Sequence, residues 1–461
     1  MKRRFPFLSF FLAMFVLTSI ALSYLLVFNS HPLSKYLSQE EVATKTIQNN
    51  QEQLSAYYQP AHVKFEEAVF PTTAYLAKGN RLFDLNHYPT LESLLVKIQH
   101  APIQVRDIRI NRNLEDYQAL YEQDYIEFDF RQSVPLSLVD SLINLGNNQE
   151  TPFKLDRILI PDSDKRLAYV VDTRTKSFIE VELSTDFDLA DCFNQVNKVK
   201  ENWLSVDRYD LKDKSVYLPV NEQVIKSKTY ILEKIPENMF ISSVFPNSDF
   251  VISQANTTDT KSYQNYQSTL TIFGSKQLMT ITTNSISNRE KISEEQKLRE
   301  SFKPVAENAY WRQGLRYDGI RNNMVTYRRF LDGFPIYSHS SIEDYGALKV
   351  YMRNTPGSEV YRFEKPTVIL MANIDDMSQD IPLLSADELV TTLTGAGVNL
   401  DRISDIQLVY EWQPDMQNFQ VVTLIPKWYV EVNGRQYSLD QITHGDLAKQ
   451  DQAQESNTEG E

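Results

Sequence analysis

The first apolar segment of the chain, residues 5–28, contains no charged residue. As a helix it would measure roughly 36 Å, which exceeds the roughly 30 Å hydrocarbon core of a bilayer. Lys2, Arg3 and Arg4 directly precede it, and the first charge after it is Lys35. Because positive charge favours the cytoplasmic side, we expect a single-pass protein of the cell membrane. Its N-terminus would lie inside and its C-terminal ectodomain outside.

A cleaved signal peptide is the alternative interpretation of this segment. The tripeptide Ala-Leu-Ser at 21–23 resembles a cleavage site after a basic start and an apolar run. The apolar run continues through 24–28, whereas a cleavage region is usually polar. We therefore predict an uncleaved anchor, with the basic tip and transmembrane helix in 1–30 and a polar connector in 31–57.

Small side chains recur four residues apart within the predicted span, at Ser9 and Ala13 and again at Ser19 and Ser23. On a helix they fall within an arc of about 120°. This spacing lets two helices approach closely in lipid, so the face is a candidate partner-binding surface. The alternative is that it packs against nothing, because small residues are common in any span. The sequence alone favours neither.

Alternating apolar and polar residues predict two consecutive α+β domains, over 58–215 and 216–375. In the first we predict strands over 62–70, 73–85, 124–130 and 157–183, and short amphipathic helices over 91–99 and 134–145. In the second we predict a charged helix over 288–302 and strands over 228–235, 249–255, 268–274, 277–283, 346–352 and 366–371.

A third predicted domain, 376–445, begins with a helix and ends with a hairpin. Ser385 and Glu388 form a capping box before the helix. Asn433-Gly434 is the preferred pair for a type I′ turn, and Pro426 predicts a bulge or an edge position within its strand. The strands of this domain are predicted over 405–412, 420–432 and 435–439.

The acidic segment 446–461 has no aromatic residue and is predicted to be disordered. The complete pattern predicts an α+β protein with a single N-terminal transmembrane helix. An extracellular three-domain ectodomain of antiparallel sheets with packed helices would follow.

The charge balance narrows the choice of partners. The formal net charge is −14, and without the three basic residues before the span 44 basic and 61 acidic residues remain, a net charge of about −17. Such a surface repels nucleic acid, anionic lipid and anionic wall polymers, so a protein partner is favoured. Cys192 is the only cysteine, which excludes a disulfide scaffold.

The sequence offers no catalytic, cofactor-binding or metal-binding residues. The six histidines fall in no pair with metal-ligand spacing, and no phosphate-binding loop or nucleophile motif is present. Asp207, Asp210 and Asp213 share a spacing of three but do not resemble a calcium loop. We therefore predict a protein that is not an enzyme, with no cofactor and no small-molecule substrate.

Aromatic residues are concentrated in the last third of the chain. Trp311, Tyr317, Tyr327 and Phe330 could form an exposed binding patch, since aromatic residues dominate interface hot spots. They could equally form the core of a small sheet, and we favour this for most of them, as for Trp412 and Trp428.

Three motifs carry a resemblance to a known family. They are YWRQGLRYDG at 310–319, YRRFLDGFPIY at 327–337 and LIPKWYVEVNG at 424–434. Together with the basic-flanked span they resemble the YycH regulatory proteins of low-GC Gram-positive bacteria. The residues that we expect to have structural roles in this family are Trp311, Tyr317, Tyr327, Phe330, Gly333, Pro335, Trp412, Pro426, Trp428 and Gly434.

The resemblance implies an accessory regulator of the WalK sensor histidine kinase, which with WalR controls cell-wall metabolism. It also implies a three-domain ectodomain, a YycI-like membrane partner and no catalytic residues, and it favours contact at the small face of the span. The alternative is an exported wall-binding or wall-sensing protein without catalytic activity.

Overall fold

The structure is a computed structural model that describes residues 63–447 with gaps. The predicted span, the connector, the helix predicted over 91–99, Cys192, Trp311 and the tail from 448 lie outside the described residues. The described residues belong to one compact unit, Pro60–Glu461. None of the helices they form is both long and apolar enough to cross a membrane. The gaps are at 80, 86–102, 105–108, 140–142, 145–151, 163–166, 183–203, 213, 247–250, 253–256, 258, 284–290, 309–313, 341–342, 356, 358, 416–417 and 419.

The N-terminal half of this unit is built on one sheet. Its strands are β1 Thr73–Lys78, β2 Arg81–Asp84, β3 Ile103–Gln104, β4 Ile110–Asn111, β5 Tyr125–Pro135, β6 Ile143–Asn144, β7 Lys154–Pro161, β8 Leu167–Asp172, β9 Ser177–Glu182, β10 Leu204–Asp210 and β11 Ser215–Pro219. Across the sheet they run β11-β10-β2-β1-β5-β7-β8-β9-β3-β6, with β4 on β9, and all pairs except β3 with β6 are antiparallel. The helices are α1 Phe65–Ala68 and α2 Leu114–Ala119, with a 3-10 turn at Leu136–Val139.

The C-terminal half contains sixteen described strands. They are β12 Gln223–Lys226, β13 Lys228–Lys234, β14 Val251–Ile252, β15 Thr260–Gln264, β16 Ser268–Phe273, β17 Leu278–Thr283, β18 Leu315–Arg321, β19 Met324–Leu331, β20 Phe334–Ser338, β21 Ala347–Met352, β22 Val360–Pro366, β23 Val368–Asn373, β24 Asp380–Leu383, β25 Ile403–Pro414, β26 Val421–Val432 and β27 Arg435–Ser438. The helices are α3 Glu237–Val244, α4 Glu294–Asn308, α5 Ala386–Gly395 and α6 Leu439–Thr443, with 3-10 turns at Asp375–Met377 and Leu400–Arg402.

Fourteen of these strands form a sheet with two parts that meet where β19 pairs with β20, while β12 and β24 pair separately. The chain also crosses between the parts from β22 to β23, through Thr367. Strand β19 pairs with β18 and β21 in the first part of the sheet. After the turn at Asp332 and Gly333, β20 runs parallel to β25 in the second part, beside β26. Both turn residues have positive φ, 49° and 82°, as a type I′ turn requires. The motif at 327–337 therefore forms one of the links between the two parts.

A continuous apolar core connects the N-terminal sheet with the first part of the C-terminal sheet. Helix α1 packs against α4, and the rings of Phe65 and Phe302 lie 5.4 Å apart, edge to face. Phe302 in turn lies 5.4 Å from the ring of Tyr327, a fully buried residue of β19. Because core side chains of both halves interlock, α1 and α4 fix the orientation of the N-terminal sheet on the C-terminal one.

The α+β class and the mostly antiparallel sheets are confirmed. The predicted capping box at Ser385 is present, and Asn433 and Gly434 both have positive φ. Pro426 occupies an edge position, which was one of the two predicted alternatives. On one side it pairs with β25. On the other side it lies between the residues of β26 that pair with β13 and those that pair with β27. The predicted boundaries at 215 and 375 stay predictions.

Two predicted elements are wrong. The strand over 62–70 is replaced by α1, because Phe65 and Ala68 lie three positions apart and both face the core. The helix over 134–145 is replaced by the end of β5, a 3-10 turn and β6. There the backbone pairs with distant residues, since the amide of Leu136 donates to the carbonyl of Phe153 at 2.9 Å.

Candidate functional site

The two halves meet at a bulge in β5. The pairing of β5 with β7 shifts register between Asp129 and Val134, and Arg131 adopts a positive φ of 61° within the shift. The bulge directs Arg131 and Gln132 towards β18. A Cβ at Gly319, where φ is +112°, would lie only 3.2 Å from Oε1 of Gln132. Glycine at this position therefore allows both the backbone conformation and the close approach of the halves.

Two cations of the N-terminal half face two carboxylates of the C-terminal half at this junction. Nε of Arg131 lies 3.7 Å from Oδ1 of Asp318, and its guanidinium lies over the ring of Phe330 at 5.6 Å. Nζ of Lys214 lies 2.9 Å from Oδ1 of Asp405. Burial alone would raise the pKa of Asp405, but Lys214 and Arg131 lower it below its usual value. The junction therefore holds charged pairs away from solvent.

Arg328 organises the C-terminal side of the junction. Its Nε donates to Asp318 at 2.6 Å, and its Nη1 donates to the two oxygens of Asp344 at 2.9 and 3.1 Å and to the carbonyl of Ile336 at 2.8 Å. The guanidinium lies 3.7 Å from the ring centre of Tyr337. Burial lowers the pKa of Arg328, but Asp344 and Asp318 outweigh it and raise that pKa well above its usual value. One buried cation thus ties β18, β19, β20 and the segment before β21 together.

A second buried network lies within the N-terminal sheet. Glu127 is fully buried, and its Oε1 accepts from the hydroxyl of Tyr217 at 2.8 Å and lies 3.0 Å from Nε of Arg157. Arg157 also contacts Asp129 and donates to the carbonyl of Ser215 at 2.8 Å. Burial raises the pKa of Glu127 to about 6, against the opposing effect of Arg157.

We expect Glu127 to make stability pH-dependent between about pH 4.5 and pH 6. Because its pKa is higher in the folded state, its contribution is fully present below pH 4.5 and is lost as the pH rises through 6. A shift of this size corresponds to about 2 kcal/mol. Urea unfolding of the parent and of Glu127→Gln from pH 4 to pH 7 checks this. The difference in unfolding free energy, parent minus variant, should fall across the window, and parallel profiles would contradict the assignment.

A cavity of about 110 Å³ lies at the junction. Arg131, Arg157 and Lys214 line it from the N-terminal half, and Gly333 and Trp428 line it from the C-terminal half. One molecule takes about 30 Å³ in liquid water, so the cavity matches a few waters or a small ion rather than a metabolite. It is therefore a small space within the junction, with both charged and apolar lining residues.

An open cleft of about 930 Å³ lies on the other side of the contact between Arg131 and Asp318. Its lining comes from β16 to β22 and from the hairpin of β26 and β27, and it includes Asp318, Arg328 and Tyr337. Its size falls within the range of about 300–1,000 Å³ typical of ligand sites. It is therefore large enough to hold a partner segment.

The structure buries the described aromatic residues of the three motifs except Phe334, which is half-buried, as the core interpretation expects for most of them. Tyr317 and Tyr327 pair across β18 and β19, with rings 6.1 Å apart. The guanidinium of Arg131 lies over the ring of Phe330. Gly333 forms the turn that Pro335 follows in β20, and Trp412, Pro426 and Trp428 lie in β25 and β26. Gly333, Pro335 and Trp428 line the cavity at the junction, and Gly434 lines the open cleft. Trp311 and the small face Ser9, Ala13, Ser19 and Ser23 lie outside the described residues.

The charged residues of the junction were not predicted from the sequence. Asp318 and Arg328 lie inside the motifs at 310–319 and 327–337, where polar side chains between buried aromatic residues are a usable signal. Arg131 and Lys214 carry no such signal, because their partners are distant in sequence. No group of three or more metal-ligating side chains occurs within the part of the chain that the structure describes.

The fold and the junction define a two-part α+β protein of mostly antiparallel sheets with a cleft beside a buried ionic contact. The chain belongs to the YycH family. The model of the YycH protein, N-terminal domain, matches residues 6–201, and that of the YycH protein, C-terminal domain, matches residues 213–446. Membership places the chain among regulators of the WalK/WalR system, a regulatory family rather than a known enzyme family.

The crystal structure of YycH from Bacillus subtilis is similar in fold. It superposes with a TM-score of 0.68 at 16% identity, over 82% of this chain and 98% of that chain. The Bacillus megaterium YpeB C-terminal domain aligns with a TM-score of only 0.24 at 14% identity, over 45% of this chain and 92% of that chain. No curated protein matches the sequence.

Proposed function

We propose that this chain is a membrane-anchored, extracytoplasmic regulator that modulates a WalK-type sensor histidine kinase controlling cell-wall metabolism. It acts by protein–protein contact, with a YycI-like membrane protein as a further partner. Both the transmembrane helix and the ectodomain take part. The single observation that carries the proposal is the match of the two YycH domain models, over 6–201 and 213–446.

Two features of the sequence support the membrane-anchored form of this proposal. The uncharged segment 5–28 follows Lys2, Arg3 and Arg4, which favours one span with the N-terminus inside. The remainder of the chain carries 44 basic and 61 acidic residues, so anionic lipid and wall polymers are repelled and a protein partner is favoured.

We expect Ala13→Leu combined with Ser23→Leu to weaken co-purification with the kinase and the YycI-like protein while the chain stays anchored. Close packing of helices in lipid depends on small side chains, so the two larger leucine side chains would hold the helices apart. Apolar substitutions leave membrane insertion unaffected. The measurement is co-purification from detergent-solubilised membranes at matched expression.

The matched control is Phe7→Leu combined with Phe11→Leu, which changes bulky positions that fall largely elsewhere around the same helix. It should retain parental association. Equal association of the Ala13/Ser23 variant and the parent would show that the small face makes no contact. Failure of the parent itself to associate with the kinase would refute the proposed function.

A further inference from the structure

Three β-hairpin turns rim the open cleft of the C-terminal half, and each carries a cation. Lys276 lies in the turn between β16 and β17, Arg321 ends β18 at the turn into β19, and Arg435 begins β27 after the turn from β26. All three are exposed residues. The mouth of the cleft is therefore lined with positive charge in a chain whose net charge is −14.

The carboxylates of the cleft are directed inward. Asp318 and Asp344 bind Arg328, of which only 4% is exposed. Glu364 lies 3.8 Å from Nζ of Lys349 and 2.7 Å from Nη2 of Arg362. The described lining contains six basic and three acidic residues, and Arg321 pairs with Glu431 outside the lining, which leaves an excess of two positive charges. A bound segment would meet the cations before it meets the acids.

The turns that carry these cations are fixed by backbone geometry and by cross-contacts. Positive φ angles occur in every one of these turns, at Gln277, at Asn322 and Asn323, and at Asn433 and Gly434. Arg321 contacts Glu431, and its Nη1 donates to the carbonyl of Gly434 at 2.6 Å, which joins two of the three turns. The rim is therefore held in place before any partner binds, which reduces the entropy lost on binding.

Aromatic side chains form much of the remaining wall. Tyr337 and Tyr429 lie with their rings 5.4 Å apart, and Tyr351 and Tyr437 also line the cleft. Tyrosine and arginine are the residue types that dominate binding energy at protein interfaces. Tyr337, Tyr429 and Tyr437 are buried and Tyr351 is half-buried, so a polypeptide would contact the exposed part of Tyr351 while its carboxylates contact the rim.

We propose that this cleft binds an acidic segment of a partner protein. The cations stand on three separate turns, so they match carboxylates spaced along a chain better than one compact anion. Opposite charges across such an interface also speed association and exclude basic partners. The inference rests on the proposed function only in placing the partner in the same signalling assembly.

The test uses the full chain in detergent micelles and a fluorescein-labelled peptide of ten glutamates, followed by fluorescence anisotropy. Lys276→Glu combined with Arg435→Glu should weaken binding by about tenfold or more, since two attractive contacts become repulsive. The matched control is Arg174→Glu combined with Lys234→Glu, which makes the same charge change at exposed residues outside the cleft lining. It should bind like the parent. Equal weakening in both variants, or equal binding of a ten-glutamine peptide, would overturn the proposal.

Two further experiments test whether something other than a partner protein occupies the cleft. Displacement of the peptide by 10 mM inorganic phosphate, at an ionic strength matched with chloride, would assign the cleft to a small anion and overturn the proposal. About tenfold tighter peptide binding after deletion of 448–461 would overturn it too, because the chain's own acidic segment would then be the occupant. Kinase co-purification of the parent is scored separately, so failure of the proposed function is distinguishable from failure of this one.

Discussion

Replacing Arg328 with methionine should lower the free energy of unfolding by about 3–5 kcal/mol, the usual cost of breaking a buried ion pair by removing one partner. Asp318 and Asp344 would remain buried without their shared cation, and the carbonyl of Ile336 would lose a donor. The measurement is urea unfolding of the full chain in detergent, followed by tryptophan fluorescence.

Arg321→Met is the matched control, since it removes an arginine of the same sheet whose side chain is 43% exposed. Exposed ion pairs contribute about 0–1 kcal/mol, so this variant should unfold close to the parent. Arg328→Met combined with Asp344→Asn should recover part of the loss, because one uncompensated charge is removed. A loss below about 1 kcal/mol for Arg328→Met would show that the two carboxylates are already hydrated.

Gly346→Ala should destabilise the protein by about 3 kcal/mol, because the added methyl group cannot fit beside the neighbouring strand. A Cβ at this position would lie 2.0 Å from the carbonyl oxygen of Ile336 and 2.7 Å from its carbonyl carbon. These are backbone atoms of β20, so β20 would have to move away from the segment before β21. The same urea unfolding experiment measures the loss.

Gly395→Ala provides the comparison for this prediction. A Cβ there meets no atom within 4 Å, and its φ is not positive. Because alanine favours helices over glycine, the control should be neutral or slightly stabilising. If Gly346→Ala unfolded like Gly395→Ala, the close contact with β20 would be absent in solution.

The sequence predicted features that depend on a few neighbouring residues. Asn433-Gly434 specified its hairpin because both positions need positive φ, and Ser385 with Glu388 specified the start of α5 because their hydrogen bonds are local. Alternation predicted most of the long strands for the same reason. The error at 62–70 shows the limit: alternation favoured a strand, but packing of Phe65 against Phe302, far along the chain, selects a helix.

The contacts of the candidate site could not be predicted from neighbouring residues in the sequence. The bulge places Arg131 beside Asp318 only because β18 lies next to β5 in the folded chain. Lys214 pairs with Asp405, which is almost two hundred residues away in the sequence. Two of the three cations of the cleft rim, Lys276 and Arg435, stand at breaks between predicted strands, whereas no strands were predicted around Arg321. Their convergence on one opening depends on the order of strands in the sheet, which the sequence pattern leaves open.

The two-residue turn at Asp332 and Gly333 has a mechanical consequence. Strand β19 is hydrogen-bonded into one part of the large sheet and β20 into the other, and only two residues lie between them. The chain crosses between the same two parts a second time, from β22 to β23, through the single residue Thr367. Neither connection is long enough to let the two parts tilt independently, so we expect them to move as one body.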